Sequence, residues 1–510
     1  MSKKEKTVLD KGSWVTTKSQ RVKYYIADLG RTCEGALVTT FMTMFLLMQG
    51  INPAKMAAIM LIVKIIDSFD DVIFGFLIDK IKLKGEGKYL PWFKRAFVFL
   101  PIFVVVFFMM PQSVPESIKL AWFGISYLLY DLIYTIVEVP MNSLAITITD
   151  NVEERNVIIQ NRQILNNNII LLIGIVFYAL ISEAVGIPIK WCVVGASVIF
   201  FAMMFPITRG VTEANVELKN VDSEENAHYT FRDMFECLKT NKYIFVLLLS
   251  SLLTSCLATG ANLANFVAYY HFGNSLVFAI PIAIAAVPGF IAQINTAKIT
   301  KKFGKLKTVL SLGLLGGVPL LAIFFVGPGL QPLRIGVLCT LLVVQAVPGN
   351  VSLIAKSFLI PDTIEYTRYK TGKDCSGIFF ALNSFCTKLT QSIASSLGLF
   401  LLGLSGWVEI EATDFKDIAA QNIQQPDSAL DMLWAVYALI PAIGVILGVA
   451  VMFLYKLKDK DIELITKCNA GEITRDECEA QLSDRVKTKN YIPNATNNME
   501  LSENDTETML

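Results

Sequence analysis

Charged residues and histidine are scarce in this chain. Asp, Glu, Lys and Arg make up only 17% of its 510 residues, and the two histidines are His228 and His271. The nine cysteines show no CxxC spacing, so the sequence indicates neither a zinc site nor a disulfide framework. We therefore expect no metal centre and no cofactor.

Sequence signals of catalysis and of nucleic-acid binding are also lacking. We find no Ser-His, metal-ligand or phosphate-cradling constellation, and we expect that the protein is not an enzyme. The formal net charge is +1, so there is no basic excess that would favour nucleic acid as a partner.

Apolar residues, by contrast, dominate the composition. Hydrophobic residues make up 54% of the chain and the mean hydropathy is +0.52, which is too apolar for a soluble globular protein. Segments long enough to cross the roughly 30 Å core of a bilayer form two sets of six on either side of a polar stretch. They lie near 24–49, 53–79, 95–111, 118–148, 160–184 and 188–207, and then near 242–271, 276–297, 307–327, 333–359, 376–405 and 430–456. The sequence predicts an all-α membrane protein with twelve transmembrane helices.

The distribution of Lys and Arg predicts how these helices are oriented. Basic residues crowd the N-terminal segment and the loops near 80–95 and 298–307, whereas the loops near 112–117 and 409–431 hold almost none. Because basic loops favour the cytoplasm, we expect a multi-pass protein of the cell membrane with both termini cytoplasmic. The predicted parts are a cytoplasmic N-terminal segment (1–23), an N-terminal six-helix bundle (24–208), a cytoplasmic middle loop (209–241), a C-terminal six-helix bundle (242–456) and a cytoplasmic tail (457–510).

Two six-helix halves joined by a cytoplasmic loop are the layout of the major facilitator fold. Carriers of this fold expose a site near the membrane midplane to each side in turn. The analogy concerns the fold and leaves the substrate open.

The second apolar segment contains three acids on one helical face. Asp67, Asp70 and Asp71 are spaced at i, i+3 and i+4. Ionisable residues at bilayer depth are costly, and like charges this close require a proton, a metal cation or a basic partner. The cluster is therefore a candidate cation site. The alternative is an interfacial cluster that pairs only with Lys64.

The fourth segment adds polar groups beside a proline. Thr135, Glu138 and Asn142 lie on one face, and Pro140 predicts a kink that frees backbone carbonyls for a small ion. Glu138 could instead lie at the interface. Arg162 in the fifth segment and Lys388 in the eleventh are candidate counter-charges, although Arg162 lies close enough to a helix end to be a simple anchor.

The first segment offers further polar residues near its start. Asp28 and Arg31 could pair with each other or take part in the site, and Thr32 follows them directly. Aromatic side chains could stack on a sugar ring or serve only in packing, as aromatics in membrane helices often do. These aromatic residues are Tyr24, Tyr25, Tyr130, Tyr134 and Phe380.

Several of these residues belong to longer motifs. They are Asp67-Ser-Phe-Asp-Asp71 with Gly75, Gly87-Lys-Tyr-Leu-Pro-Trp92, Tyr134-Thr135 with Glu138-Val-Pro140, Arg162, Pro361-Asp-Thr-Ile-Glu-Tyr366 and Lys388. Taken together, they resemble the glycoside–pentoside–hexuronide cation symporters of the major facilitator superfamily, the family of melibiose permease. The resemblance extends over roughly residues 24–455.

The resemblance implies symport of a sugar or glycoside with Na⁺ or H⁺ by alternating access. The cation site it implies consists of Asp67, Asp70, Asp71, Thr135 and Glu138. Candidate substrate residues are Asp28, Thr32, Glu138, Asn142, Arg162 and Lys388. Compared with melibiose permease, Asp70 replaces an Asn, Glu138 an Asp, Thr32 an acid and Asn142 a Trp, so the identity of the sugar stays open.

Two other functions are compatible with the same sequence. The chain could be a related facilitator for a non-sugar solute such as a lipid-like amphiphile. It could also be a membrane sensor that binds a solute without transporting it. Loss of solute flux despite ligand binding would distinguish the sensor from a carrier.

Overall fold

The computed structural model describes residues 14–81, 83–85, 87–149, 151–213, 241–371, 376–483 and 486. Within these ranges the regular secondary structure is helical, apart from one isolated antiparallel bridge between Gln49 and Glu411. The predicted all-α class is thus confirmed. Below, the first half means residues 14–213 and the second half means residues 241–486.

The first half contains seven helices in the described ranges. They are α1 (Lys18–Leu47), α2 (Pro53–Lys80), α3 (Leu90–Ala96), α4 (Phe99–Phe108), α5 (Glu116–Thr147), α6 (Val152–Ile181) and α7 (Ile189–Met204), which continues into a 3-10 turn (Phe205–Thr208).

The second half is more often interrupted. Its helices before the tail are α8 (Lys242–Thr254), α9 (Leu257–Ala261), α10 (Ala264–Phe272), α11 (Ala279–Phe303), α12 (Lys305–Val326), α13 (Pro332–Ser357), α14 (Leu359–Thr371), α15 (Ser376–Leu404), α16 (Phe415–Gln421), α17 (Asp427–Trp434) and α18 (Ile440–Met452). A π-helical turn (Ala435–Leu439) joins α17 to α18. The tail adds α19 (Asp459–Asn469) and α20 (Arg475–Gln481).

Ten helical stretches in the described ranges are long and apolar enough to cross a membrane. Helices α1 and α2 are 30 and 28 residues long but are not among these ten. They carry many of the ionisable residues discussed above, which lowers their hydropathy. The structure thus has ten apolar stretches of membrane-spanning length in the described ranges, beside two long and more polar helices, and the count of twelve stays a prediction.

The predicted basic loop at 80–95 is too long. Helix α3 already begins at Leu90, so Lys94 and Arg95 lie in its last turn. Pro91 lies in the first turn of this helix, where its fixed φ favours helix and its missing N–H is not needed. The motif Gly87–Trp92 thus contains a helix start. Likewise, α11 continues to Phe303 beyond the predicted end at 297.

The two halves pack against each other through α2 and α15. Gly403 of α15 makes this close approach possible, because a Cβ at this position would lie 2.4 Å from the Ala54 backbone nitrogen of α2. At the start of α2, Asn52 caps the helix by accepting hydrogen bonds from the amides of Ala54 and Lys55. This helix pair therefore lies at the centre of the interface.

A segment that we call the strap, residues 405–426, closes one end of the molecule. It connects α15 to α17 and reaches across to the first half. The amide of Gly50 donates to the Ile410 carbonyl at 2.7 Å, and the amide of Ala412 donates to the Met48 carbonyl at 2.9 Å. Lys119 Nζ contacts Glu411 Oε1 at 2.6 Å. The halves are thus joined at the end where α1 finishes.

The opposite end, which carries the basic segments, is organised within each half. In the first half, Glu213 accepts hydrogen bonds from the amides of Lys88, Tyr89 and Leu90. In the second half, Lys305 Nζ contacts Asp362 Oδ1 at 2.6 Å. Between residues that the structure describes, no hydrogen bond or ion pair joins the two halves at this end. We call this end the basic end.

Candidate functional site

A cavity of about 300 Å³ lies between the halves at the middle of the bundle. Helices α1, α2 and α5 form its wall in the first half, and α15 forms most of its wall in the second half, with Asn262 beside it. The ionisable residues that line the cavity are Lys64, Asp67, Asp131, Glu138 and Lys388.

Four of these residues form what we call the central charge cluster: Lys64, Asp67, Asp131 and Lys388. Lys64 Nζ lies 3.0 Å from Asp67 Oδ2 and 2.9 Å from Asp131 Oδ1. Lys388 Nζ reaches Asp67 Oδ1 at 3.5 Å from the other half. Lys388 thus lies where a counter-charge to Asp67 would lie. Lys64 joins α2 to α5, because it pairs with an acid on each helix.

Asp131 has an oxygen that no described group satisfies. Its carboxylate is 4% exposed, and Asp131 Oδ2 is buried without a hydrogen-bond partner in the described part of the chain. A buried carboxylate oxygen without a partner loses its hydration at considerable cost. This oxygen is therefore a place where a small cation or a proton would be bound favourably.

Two acids of the predicted cation site, Asp70 and Asp71, have side chains that lie outside the described ones. Their backbone continues α2. Thr135 is buried and lines the cavity one turn after Asp131. Of the predicted cation-site residues, Asp67, Thr135 and Glu138 thus line one cavity.

A second group, which we call the arginine cluster, adjoins the cavity and consists of Asp28, Arg31, Glu138 and Arg162. Arg31 Nε lies 3.0 Å from Asp28 Oδ1, and its Nη1 lies 3.0 Å from Glu138 Oε1. Arg162 Nε lies 2.5 Å from Asp28 Oδ2. Arg162 therefore pairs with Asp28 of α1, and Asp67 of α2 is not among its ion-pair partners in the described part of the chain. Glu138, which lines the cavity, links this cluster to it.

The predicted substrate residues divide between the two clusters. Lys388 and Glu138 line the cavity. Asp28 is fully buried and accepts hydrogen bonds from both arginines and from Asn166. Thr32 accepts from Arg31 at 3.2 Å, and Asn142 accepts from Arg162 at 2.5 Å. Both contact the arginine cluster and are not among the described residues that line the cavity.

Three tyrosines of α5 line the same cavity. Tyr127, Tyr130 and Tyr134 follow one another along the helix, with ring centroids 6.4 Å and then 5.7 Å apart. The Tyr134 hydroxyl accepts a hydrogen bond from Arg31 Nη1 at 2.7 Å. Tyr24 is instead buried and donates to the Met141 carbonyl, which is a packing role. The side chain of Phe380 lies outside the described ones.

Sequence reasoning missed Asp131. This residue lies four positions before Thr135 and seven before Glu138, so it extends the polar face already identified on the same helix by one turn. The signal was therefore present in the helical spacing. Arg31 and Lys64 were considered only as local partners, because their contacts with α5 require knowing which helices are neighbours.

The second half contributes a different kind of wall. Apart from Lys388, its lining residues are the neutral polar side chains of Asn262, Gln391, Ser392 and Ser395. Amide and hydroxyl groups both donate and accept hydrogen bonds, as sugar hydroxyls do. Charged groups and neutral hydrogen-bonding groups thus face each other across the cavity.

Known proteins share this sequence pattern and this fold. A sequence model of the family described as MFS/sugar transport protein matches residues 23–459. A glucuronide carrier protein homolog from Escherichia coli (strain K12) is 24% identical over 89% of this chain and 94% of its own length. An isoprimeverose transporter from Lactiplantibacillus pentosus is 22% identical over 86% of this chain and 88% of its own length.

Solved structures are similar in fold. A mutant of the nucleoside transporter NupG has a TM-score of 0.59 at 13% identity and covers 86% of this chain and 100% of its own. A bacterial homologue of the iron transporter ferroportin in an inward-facing state has a TM-score of 0.57 at 15% identity, with coverages of 86% and 99%. At these identities the likeness concerns the fold alone.

Proposed function

The chain belongs to the MFS/sugar transport protein family, and from this membership we propose that it is a cation-coupled symporter of a sugar or glycoside. The relatives are named as a glucuronide carrier homolog and an isoprimeverose transporter. A sugar or glycoside is therefore the transported solute, and Na⁺ or H⁺ is the coupling ion in this proposal.

The observation that carries the proposal is the buried charge cluster at the interface of the halves. Two carboxylates, Asp67 and Asp131, share Lys64, and Asp131 Oδ2 is buried without a partner among the described residues. Burying such a cluster in a membrane is costly, and ionisable residues at this depth usually belong to an ion or substrate pathway. Its position on α2 and α5, in contact with Lys388 of α15, supports coupling between ion binding and movement of the halves.

The mechanism follows from competition between the lysines and the coupling ion. In the conformation described here, Lys64 and Lys388 neutralise the carboxylates. A cation bound by Asp67, Asp131 and the Thr135 hydroxyl would release Lys64 and fix α2 relative to α5. Sugar hydroxyls would then bind between Tyr134 and Glu138 on one side and the neutral wall of α15 on the other. Cation and sugar would raise each other's affinity by the same factor.

We further propose twelve membrane spans, with α1 and α2 added to the ten apolar stretches. The lysines and arginines of the basic end support a cytoplasmic location for that end and for both termini. In this orientation the strap closes the outer end, and we infer that the cavity is reached from the cytoplasm. Rocking of the halves about α2 and α15 would expose the cavity to the other side.

Transport assays test the proposal directly. Purified protein in proteoliposomes would be given labelled isoprimeverose or methyl β-D-glucuronide under an imposed Na⁺ gradient or an imposed pH gradient. We expect accumulation that is driven by one of these gradients and abolished when that gradient is dissipated. Uptake that is indifferent to both gradients would contradict coupling, and absence of uptake would contradict the sugar class.

A further inference from the structure

A second cavity, of about 150 Å³, lies between α6 of the first half and α11 and α13 of the second half. Three amide side chains line it: Asn168 from α6, Gln293 from α11 and Asn350 from α13. Its other lining residues are apolar or lack a side chain, among them Ala286, Gly289 and Phe290. No ionisable residue appears among the described residues that line it.

The amides of this cavity are largely free to bind a ligand. Gln293 and Asn350 form no hydrogen bond with any residue that the structure describes. Asn168 Nδ2 donates to the Ile164 carbonyl of its own helix at 2.7 Å, and its Oδ1 accepts no hydrogen bond from a described residue. Since unsatisfied amides are unfavourable inside a membrane protein, the cavity is better suited to a polar ligand than to lipid chains.

Gln293 also faces away from the apolar side of its helix. Along α11 an exposed stripe of aliphatic residues recurs at intervals of four and three positions, as expected of a lipid-facing surface. The stripe consists of Ile280, Ile284, Val287, Ile291 and Ile294, which are 54–66% exposed. The amide side chain lies off this stripe and reaches the cavity between the halves.

A short repeat builds the two walls that the second half contributes. The sequence Ala-Val-Pro-Gly occurs at residues 286–289 of α11 and again at 346–349 of α13. Each proline lies inside its helix and removes one backbone hydrogen bond, which leaves the carbonyls of Ile284 and Val344 without that partner. Gly289 lines the cavity, and a Cβ at this position would lie 3.9 Å from Asn350 Nδ2.

We propose that this cavity binds an uncharged, hydroxyl-bearing part of the transported solute through Gln293, Asn350 and Asn168. The inference rests on the proposed function as a sugar carrier and adds a subsite to it. An amide both donates and accepts hydrogen bonds, so it is complementary to a sugar hydroxyl, whereas a carboxylate or sulfonate would find no described cation here. Because both halves form the cavity, a bound solute would favour the conformation in which they are arranged as described here.

Uptake kinetics in proteoliposomes test the subsite. Gln293→Leu and Asn350→Leu would be compared with the unaltered chain, using labelled isoprimeverose and methyl β-D-glucuronide. We expect each substitution to raise the half-saturation concentration about 10-fold, the effect of roughly 1.4 kcal/mol from one lost hydrogen bond. The maximal rate should change little, because the charged groups of the other cavity are untouched.

Asn295→Leu is the matched control. It changes an amide of the same helix that donates to the Ile291 carbonyl at 2.8 Å and does not line the cavity, so its half-saturation concentration should stay unchanged. Unchanged values for Gln293→Leu and Asn350→Leu beside an active unaltered chain would overturn the subsite alone. Absence of uptake by the unaltered chain would overturn the proposed function and the subsite with it.

A labelling measurement decides the question if the amide variants fold poorly. Ala286→Cys places a thiol in the cavity wall without removing an amide. Modification by a water-soluble thiol reagent would be followed with and without each sugar, after subtraction of labelling at the native cysteines. Protection by a transported sugar supports the subsite. Equal labelling with and without that sugar overturns it.

Discussion

The two halves of the molecule differ in the chemistry that they bring to the interface between them. In the first half, buried charges occur in groups, with Lys64 between Asp67 and Asp131, and Arg31 between Asp28 and Glu138. In the second half, the polar groups in the walls of both cavities are neutral amides and hydroxyls, with Lys388 as the charged exception among the described lining residues.

This difference indicates a division of labour. Buried charges respond strongly to the arrival or departure of an ion, because a carboxylate or an ammonium without its partner is costly in a low dielectric. Neutral amides respond to hydroxyls and are indifferent to the ion. We expect coupling to depend mainly on the first half and recognition of the neutral part of the solute to depend mainly on the second.

The largest expected effect is that of Asp131→Asn. The substitution removes one of the two carboxylates that hold Lys64 and removes the unsatisfied oxygen Oδ2. We expect gradient-driven accumulation to fall by at least about 100-fold, which corresponds to roughly 2.7 kcal/mol of lost coupling. The measurement is steady-state accumulation of a labelled sugar in proteoliposomes under the effective gradient.

Ser392→Ala is the matched change in the facing wall. It removes a neutral hydroxyl that lines the same cavity, so accumulation should remain within a few-fold of the unaltered value. If Ser392→Ala abolished coupling while Asp131→Asn preserved it, the division between the halves would be wrong.

Lys64→Met should make the stability of the protein depend on the coupling cation. The substitution leaves Asp67 and Asp131, which are 5% and 4% exposed, without their shared ammonium. Loss of one partner from a buried ion pair typically costs about 3–5 kcal/mol. Thermal unfolding in detergent should occur at a lower temperature without the cation and should recover when Na⁺ is added or the pH is lowered.

The control for this comparison is Lys55→Met on the same helix. Lys55 pairs with Glu116, but its side chain is 56% exposed, so solvent screens the pair. We expect little change in unfolding temperature and no new dependence on cations. A Lys64→Met protein as stable as the unaltered chain, with or without cation, would show that the cluster does not need a positive charge.

Lys119→Met tests whether the contacts between the strap and the first half keep the cavity closed at the strap end. Lys119 Nζ contacts Glu411 Oε1 at 2.6 Å and the Gln49 carbonyl at 2.8 Å, at the point where the strap meets α5 and the end of α1. Loss of these contacts should weaken closure by about 1 to 2 kcal/mol, or roughly 10-fold in the ratio of closed to open molecules. Crosslinking between Gly50→Cys and Glu411→Cys would be unsuitable here, because it alters the strap contacts themselves.

Accessibility of the cavity from the strap end is the better readout. A thiol introduced as Ser395→Cys in the cavity wall would be labelled by an impermeant reagent added on the outer side of proteoliposomes of known orientation. We expect faster labelling with Lys119→Met than with the unaltered chain. Lys190→Met is the control, because Lys190 lies at the same end and forms no ion pair with a described residue, so labelling should stay unchanged. Equal labelling in all three proteins would mean that the strap does not control access.

The smallest expected effect concerns Glu154, which lies outside the membrane span of α6. It accepts hydrogen bonds from the amides of Val15 and Thr16 and from the hydroxyls of Thr16 and Thr149. Burial alone would raise the pKa of this carboxyl, but these hydrogen bonds outweigh it and hold the pKa below its ordinary value. The charged form is therefore favoured in the folded protein.

The sign of the pH dependence follows from this lowered pKa. The stabilisation is present above the pKa of the unfolded chain, about 4.3 for glutamate, and is lost as the pH falls through the lower folded value. At pH 7.5, Glu154→Gln should lower the free energy of unfolding by about 1 kcal/mol. The difference in unfolding temperature between the two proteins should shrink at pH 4 and below.

Glu463→Gln in the tail helix α19 provides the control for Glu154. This glutamate pairs with Lys467 on an exposed helix surface, and we expect no measurable change in the unfolding temperature. A pH-independent difference for Glu154→Gln would mean that its charge is unimportant and that only its shape matters.

Helical spacing predicted the polar faces of α2 and α5, and the family resemblance predicted that Asp67, Thr135 and Glu138 belong to one site. In the structure these three residues line one cavity, and Lys388 pairs with Asp67. Asp131 was predictable in principle from the same face of α5 but was overlooked. The contacts of Arg162 were not predictable, because a basic residue near a helix end can anchor to solvent or turn towards any neighbouring helix.

Two properties could be predicted from the amino-acid sequence alone: the helical membrane character of the chain and the helical faces that bear charge. Both properties are local: hydropathy depends on composition over about twenty residues, and a helical face depends on a spacing of three or four. The family motifs are local as well, since each occupies a few consecutive positions.

Which charges meet depends on how the helices pack against one another. Lys64 lies between Asp67 and Asp131, and Arg31 lies between Asp28 and Glu138, because α1, α2 and α5 are neighbours in the bundle. The strap and the amide cavity likewise depend on contacts between helices far apart in the chain. Interactions of this kind are set by distances of a few ångströms across helix interfaces, and no spacing along a single helix contains that information.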